Sequence, residues 1–204
     1  WNGGIGTYVK SKQEANSAIG DKANDGLRVN GGEMKVRIIG EGGNLGMTQK
    51  GRMEYNAAGG LLNTDFIDNS AGVDCSDHEV NIKILLSGLE KSGRISREDR
   101  NQLLLDMEDQ VAKFVLKDNY DHSLALTLSL EQARENLSLH EQFIIDLETN
   151  GKMQREVEFL PSADEFKALQ ARSETLLRPE LSVLLSYGKM TLKEDILNSN
   201  FLDD

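Results

Sequence analysis

The chain has 204 residues, 38% of them hydrophobic, enough for one domain or two small ones with a real core. Its 34 Asp plus Glu against 23 Lys plus Arg give a formal charge of −11, which repels phosphate backbones at long range and argues against a nucleic-acid partner. No run approaches the roughly 18 consecutive apolar residues of a membrane helix, and no basic-then-apolar leader opens the chain.

The expected compartment is therefore the cytoplasm, with no membrane partner. Cys75 is the only cysteine, so no internal disulfide can form, and it is expected to be a small buried side chain. The chain opens on Trp1 and stops at Asp204 shortly after a helical pattern. It reads as a piece of something longer, so part of its chemistry is expected to lie outside it.

Residues 1–95 hold most of the glycines, in turn-like clusters WNGG, VNGG, GEGGN and AAGG. Met34 to Ile39 is alternating and β-branched enough to predict a strand, which Gly40 to Gly43 closes with a loop. Thr48 to Ala58 predicts a helix, and Leu61 to Ile67 a second, weaker strand. Strand, glycine loop, helix and strand are the elements of a parallel α/β sheet, whose strand C-termini present loops to ligands.

The stretch Asp68 to Asn81, DNSAGVDCSDHEVN, is dense in small and acidic residues. Asp68, Ser70 and Glu79 have the spacing of calcium-loop positions one, three and twelve, but the required glycine stands one residue early at Gly72, which disfavours calcium. Ser76 to Glu79 fits a capping box and predicts a helix start at Ser76. Similar spacings occur at Ser11, Ser138, Ser162 and Thr191. Such a start is also an anion site, although Asp74 and Asp77 would oppose an anion there.

After about Ser96 glycine nearly vanishes and apolar residues recur every three or four positions, which predicts a helical region over residues 96–204. Leu104, Met107, Val111 and Phe114 form one stripe. Leu126, Leu130, Ala133, Leu137, His140, Ile144 and Leu147 form another, long enough for a coiled-coil-like seam in which His140 is a packing residue. Gly151 ends that helix, Pro161-Ser162 introduces another, and Pro179 opens the last.

GEGGN, Gly40 to Asn44, permits positive φ and close approach of a ligand, and the Asn44 amide can donate and accept. A plain strand-to-helix turn is an equal reading, because no full GxGxxG followed by a helix and a distant acidic residue is present. Physical reasoning alone reaches an α/β ligand-binding piece with a helical appendage.

WNGGIGTYVK, GDKANDGLRVNG, IIGEGGNLGMTQKGRMEY, LLNTDFIDNSAGVDCSDHEVNIKILL and RPELSVLLSYGKM resemble the large NAD-specific glutamate dehydrogenases of bacteria, and the likeness spans most of the chain. The same segments resemble the smaller glutamate dehydrogenases, with an EGAN-type loop and an NAGGV-x-x-S-x-x-E stretch. Gly43 departs from the alanine of that loop, Leu45 to Thr48 from its proline-threonine turn, and Ser70-Ala71 from Ala-Gly.

The resemblance implies the C-terminal portion of a Rossmann-like dinucleotide-binding domain (residues 1–95) that carries part of the substrate site, followed by a mainly α-helical region. It implies NAD as cofactor, L-glutamate and 2-oxoglutarate as ligands, and a homo-oligomeric full-length enzyme. Carried over residue by residue, Asn44 and Asn69 contact the nicotinamide end of the cofactor, and Ser76 contacts the glutamate side-chain carboxylate. The lysine and aspartate of proton transfer and the phosphate-binding loop find no match and are expected upstream of Trp1, so this piece alone is expected to be inactive. The competing expectation is a helical assembly or regulatory module without ligand contacts. One shared site requires Asn44, Asn69 and Ser76 to converge.

Overall fold

A computed structural model describes residues 1–200. Its elements run β1 (Val9–Lys10), α1 (Asn16–Ile19), β2 (Val29–Asn30), β3 (Ile38–Ile39), α2 (Gln49–Ala57), β4 (Leu61–Leu62), α3 (Asp65–Asp68), α4 (Ser70–Lys91), α5 (Arg97–Gln132), α6 (Leu137–Thr149), α7 (Ala163–Arg172) and α8 (Arg178–Leu197). The described residues are mostly helical, with two small parallel sheets.

β1 lies parallel to β2 with Val9 opposite Val29, and β3 lies parallel to β4 with Ile38 opposite Leu61 and Ile39 opposite Leu62. Parallel bridges add Asn2 to Glu41 and Val9 to Met47. Parallel pairing is therefore present, but the strands are shorter than the sequence suggests. Of Met34 to Ile39 only the last two residues pair, because the partner offers only Leu61 and Leu62. Leu61 to Ile67 is not one strand: Thr64, in an extended conformation, leads into the helical turn α3, and Asp65 is buried.

The helix expected over Thr48 to Ala58 forms as α2. Thr48 Oγ1 accepts from the Gly51 amide at 2.9 Å, capping a donor that the first helical turn leaves free. Val9, Ile39, Met47, Tyr55 and Leu62 close one small core against this helix.

A second core gathers Ile67 from the first half with Leu126, Ala133, Leu137, Ile144, Leu147, Phe166, Leu176, Leu181 and Leu184 from the second. Leu126, Ile144 and Leu176 are fully buried, each contributing roughly 2 kcal/mol relative to exposure. Leu126, Ala133, Leu137, Ile144 and Leu147 of the long stripe are thus buried, whereas Leu130 is exposed, and the stripe is not on one helix. α5 ends at Gln132, the Ala133 amide turns back to Leu130 O at 3.2 Å, and α6 starts at Leu137. His140 is half-buried on α6, and burial lowers its pKa.

The punctuation marks of the second half act as expected. Gly151 adopts φ 66° just beyond α6, Ser162 and Glu165 form a complete capping box on α7, and Pro179 lies in the first turn of α8. The start of α8 clamps the two halves together. Gln49 Nε2 donates to Pro179 O at 3.0 Å, and the Arg178 amide donates to Asn56 Oδ1 at 3.2 Å.

No helix among the described residues is long and apolar enough to cross a membrane.

Candidate functional site

The loop Gly40 to Met47 lies between β3 and α2, and three neighbouring segments fix it. The first is the N-terminal strip, whose Asn2 N–H donates to Gly40 O at 2.8 Å and whose Asn2 O accepts from the Gly42 amide at 2.7 Å. Contact this close explains the glycines. A methyl group on Gly40 or Gly42 would collide with the Trp1 ring, one on Gly43 would reach Gly4 O at 2.6 Å, and one on Gly46 would collide with the Asn2 amide. The expectation of positive φ here is corrected: the glycines admit the N-terminal strip with its Trp1 and Asn2 side chains, and the left-handed residue of the loop is Leu45, at φ 59°. Alanine at Gly43, as in the EGAN-type loop, would not fit.

The second fixture is a buried ion network. Arg52 on α2 grips Glu41 with two parallel bonds, Nε to Oε1 at 2.7 Å and Nη2 to Oε2 at 2.8 Å. Its Nη2 also lies 2.9 Å from Asp65 Oδ1. Glu41 is fully buried and Arg52 only 4% exposed. Burial pushes the Glu41 carboxyl up while Arg52 pulls it back; burial likewise opposes the Arg52 charge, and Glu41 and Asp65 hold it above its usual range. The fork geometry is that of an ionised pair.

The third fixture is the turn α3. Asp65 Oδ2 accepts from the Leu45 amide at 2.7 Å, and Asp68 Oδ2 from the Glu41 amide at 2.9 Å. A side-chain carboxylate thus holds the strained residue next to Asn44. On the other side Thr7 Oγ1 donates to Leu45 O at 2.7 Å.

Asn44 and Asn69, 25 positions apart, meet on this frame, where Asn69 Nδ2 donates to Asn44 Oδ1 at 2.7 Å. The contact is solvent-accessible. It leaves the Asn44 amide donor and the Asn69 carbonyl acceptor without another side-chain partner among the described residues. A donor beside an acceptor is what a carboxamide or a pair of ribose hydroxyls requires.

Ser76 is a correction. It does not start a helix, because α4 begins at Ser70 with Asn69 in the cap position. Ser76 is exposed in the second turn, and its hydroxyl donates to Gly72 O at 3.1 Å, the ordinary self-bond of a helical serine. Local spacing S-x-x-E recurs inside helices as readily as at their starts: Ser138 and Thr191 lie within α6 and α8. Ser76 lies seven positions beyond Asn69, the cap residue of α4, which sets the two on about the same face roughly 10 Å apart along the axis.

Asp74 and His78, one turn apart on α4, lie on the side towards α5, where Asp118 joins them and the His78 ring stacks on Phe114 at 6.2 Å. Asp74 therefore leaves the Asn69–Ser76 face free of its charge. Lys83 is a half-exposed surface lysine paired with Glu79 on the same helix.

Between α4 and α5 runs an apolar groove lined by Cys75, Ile82, Leu104, Leu105 and Val111, with Glu79 and Glu108 at its wall. Cys75 is exposed there, which corrects the expectation of burial. Two carboxylates and no Lys or Arg in its lining make this groove a poor receptor for a dicarboxylate.

Sequence reasoning missed the Glu41–Arg52–Asp65 network. Its one local signal is Asp65 inside the apolar run LLNTDFI, since a charge in such a run must be paired if it is buried.

The family model described as the catalytic domain of bacterial NAD-glutamate dehydrogenase matches residues 1–129, and one described as the C-terminal region of glutamate dehydrogenase matches residues 173–204. Over the whole chain the sequence is 52% identical to the NAD-specific glutamate dehydrogenase of Pseudomonas aeruginosa and 52% identical to that of Halomonas elongata. It is 45% identical to that of Mycobacterium tuberculosis over 203 residues. The chain spans only 13%, 13% and 12% of the lengths of these curated relatives.

Proposed function

Since the chain belongs to the bacterial NAD-glutamate dehydrogenase family, we propose that it forms part of an enzyme oxidatively deaminating L-glutamate to 2-oxoglutarate and ammonium with NAD. In this reading residues 1–95 are the C-terminal portion of a Rossmann-like cofactor domain and residues 96–204 a helical region. The full-length enzyme is a cytoplasmic homo-oligomer.

The observation that carries the reading is the Asn44–Asn69 contact. Two residues on a strand-following loop and a helix start, far apart in sequence, meet at an exposed contact that leaves one donor and one acceptor without a side-chain partner among the described residues. Bound NAD supplies the hydride acceptor, and the two amides hold its carboxamide or ribose end.

Ser76 takes the glutamate side-chain carboxylate. The spacing supports this assignment: a hydride transfer brings its two carbons to about 3–3.5 Å, and glutamate extends about 4 Å from its Cα to its side-chain carboxyl. With hydrogen bonds of about 3 Å added at the ends, the extended reach is about 13 Å, enough to cover the axial rise of about 10 Å between Asn69 and Ser76. The Ser76 hydroxyl has one proton, now donated to Gly72 O at the exposed helix surface, and it serves a carboxylate by exchanging that bond for one to the ligand.

The test is glutamate-dependent NADH formation by the full-length enzyme. Asn44→Ala and Asn69→Ala are expected to raise the KM for NAD, and Ser76→Ala the KM for glutamate with a smaller effect on NAD. Unchanged dependence on both ligands would overturn the assignment.

A further inference from the structure

We propose that a polar relay running from partly buried Arg178 on α8 to buried Asp65 positions Asn44 for cofactor binding, so that the helical region acts on the cofactor loop. This inference rests on the reading of Asn44 as a cofactor contact and adds residues that do not themselves touch the ligand.

The relay can be followed atom by atom. Arg178 is anchored in the helical half, its Nη2 donating to Ser123 O at 3.1 Å and its Nη1 to Thr127 Oγ1 at 3.2 Å. Its Nε donates to Asn63 Oδ1 at 2.7 Å, and Asn63 Nδ2 donates to Asp68 Oδ1 at 2.7 Å. The other Asp68 oxygen accepts from the Glu41 amide at 2.9 Å. Glu41 grips Arg52, Arg52 reaches Asp65, and Asp65 accepts from the Leu45 amide at 2.7 Å. The next residue back along the chain is Asn44.

Two physical features give the relay leverage. Leu45 is held in the left-handed region, a conformation that a leucine leaves when nothing holds it, and that change would swing the preceding peptide and the Asn44 side chain with it. Charge-assisted bonds in a buried setting have fixed geometry, so loss of one member is felt along the rest. The Arg178 contacts also cross between segments more than 50 positions apart, from α8 to α5 and to the residues after β4. Arg178, Asn63, Arg52 and Asp65 are thus positioning residues rather than catalytic ones.

The experiment uses the full-length enzyme, with KM for NAD, KM for glutamate and kcat measured separately. Asp65→Ala is expected to raise the NAD KM roughly tenfold, the size of one lost charge-assisted bond, while the glutamate KM stays within about twofold. Arg178→Gln is expected to raise the NAD KM roughly threefold by the same route, attenuated by distance. The double variant Asn44→Ala/Asp65→Ala is expected to be no weaker in NAD binding than the weaker single variant, because both changes remove one function.

If Asn44→Ala leaves the NAD KM unchanged, the reading of Asn44 fails and the relay has nothing to position. If Asn44→Ala raises it but Asp65→Ala leaves it unchanged, or the two effects multiply, the relay alone is overturned. If Asp65→Ala does not fold, Asp65→Asn decides the question. It keeps an acceptor for the Leu45 amide but turns an uncharged NH2 donor towards Arg52 and the Phe66 amide, where Asp65 Oδ1 now accepts, so a smaller rise in NAD KM supports the relay and an unchanged KM overturns it.

Discussion

Glu180 opens the deepest prediction. It lies in the first turn of α8 at 4% exposure, and its Oε2 accepts from the Leu177 amide at 2.6 Å. Burial, outweighing that hydrogen bond and helped by Glu165, pushes its pKa up to about 7 from an ordinary 4.5. A raised pKa means that the folded chain binds the proton more tightly than the unfolded one. The resulting stability is fully present below about pH 4.5, declines as pH rises towards 7, and is lost above it. Some 2.5 pH units at 1.36 kcal/mol each amount to about 3 kcal/mol. Glu180→Gln keeps an acceptor for Leu177 and cannot ionise. The assay is urea unfolding of this chain at pH 5 and pH 8, taking the difference between the native chain and the variant at each pH so that the other carboxylates cancel. Because part of the change falls below pH 5, the native chain is expected to lose about 2.5 kcal/mol more than the variant across that interval. Equal losses would refute the assignment of a buried, raised carboxyl at Glu180.

Other perturbations follow from the same contacts. Arg52→Ala leaves Glu41 buried without its cation and is expected to destabilise by about 3–5 kcal/mol, read as a shift in the urea midpoint; a shift below 1 kcal/mol would mean that water reaches Glu41. Gly43→Ala drives a methyl against Gly4 O and is expected to cost about 1–3 kcal/mol in the same assay, whereas Gly72→Ala, in open space within α4, is expected to be neutral or slightly stabilising. Ile144→Ala empties a fully buried site in the second core, with an expected loss of about 2–5 kcal/mol. Ser76→Ala removes only a bond within its own helix and is expected to change stability by less than about 0.5 kcal/mol, so any effect on glutamate KM in the full-length enzyme reports binding.

Local rules made α2, the end of α6 at Gly151, the cap at Ser162 and the start of α8 at Pro179 legible before any coordinates. Each depends on one residue's own backbone preference or one short-range bond. The strand lengths were not legible, because the extent of pairing depends on the partner, and β4 stops where Thr64 turns into α3. The start of α4 was misread at Ser76 because S-x-x-E spacing carries no information about whether the preceding residues are already helical. Here they are: Ala71 and Gly72 already lie in the first turn of α4.

The candidate site was half legible. Asn44 and Asn69 came from the resemblance, and the structure brings their side chains into contact. What orders them, the pairing of Glu41 with Arg52 and Asp65, is set by tertiary proximity, and composition offers no sign of which of many charges are buried together. The glycines of GEGGN pointed to close approach, but the approaching group is the N-terminal strip carrying Trp1 and Asn2.

Whether the Asn44–Asn69 pair and Ser76 serve two neighbouring ligands of one active site is decided by glutamate-dependent NADH formation in the full-length enzyme. The wild type is compared with Asn69→Ala and Ser76→Ala at varied NAD and varied glutamate. The account predicts a crossed result: Asn69→Ala raises the NAD KM with little change for glutamate, and Ser76→Ala does the reverse. Wild-type kinetics in both variants, or a loss of kcat alone with both KM values unchanged, would contradict it.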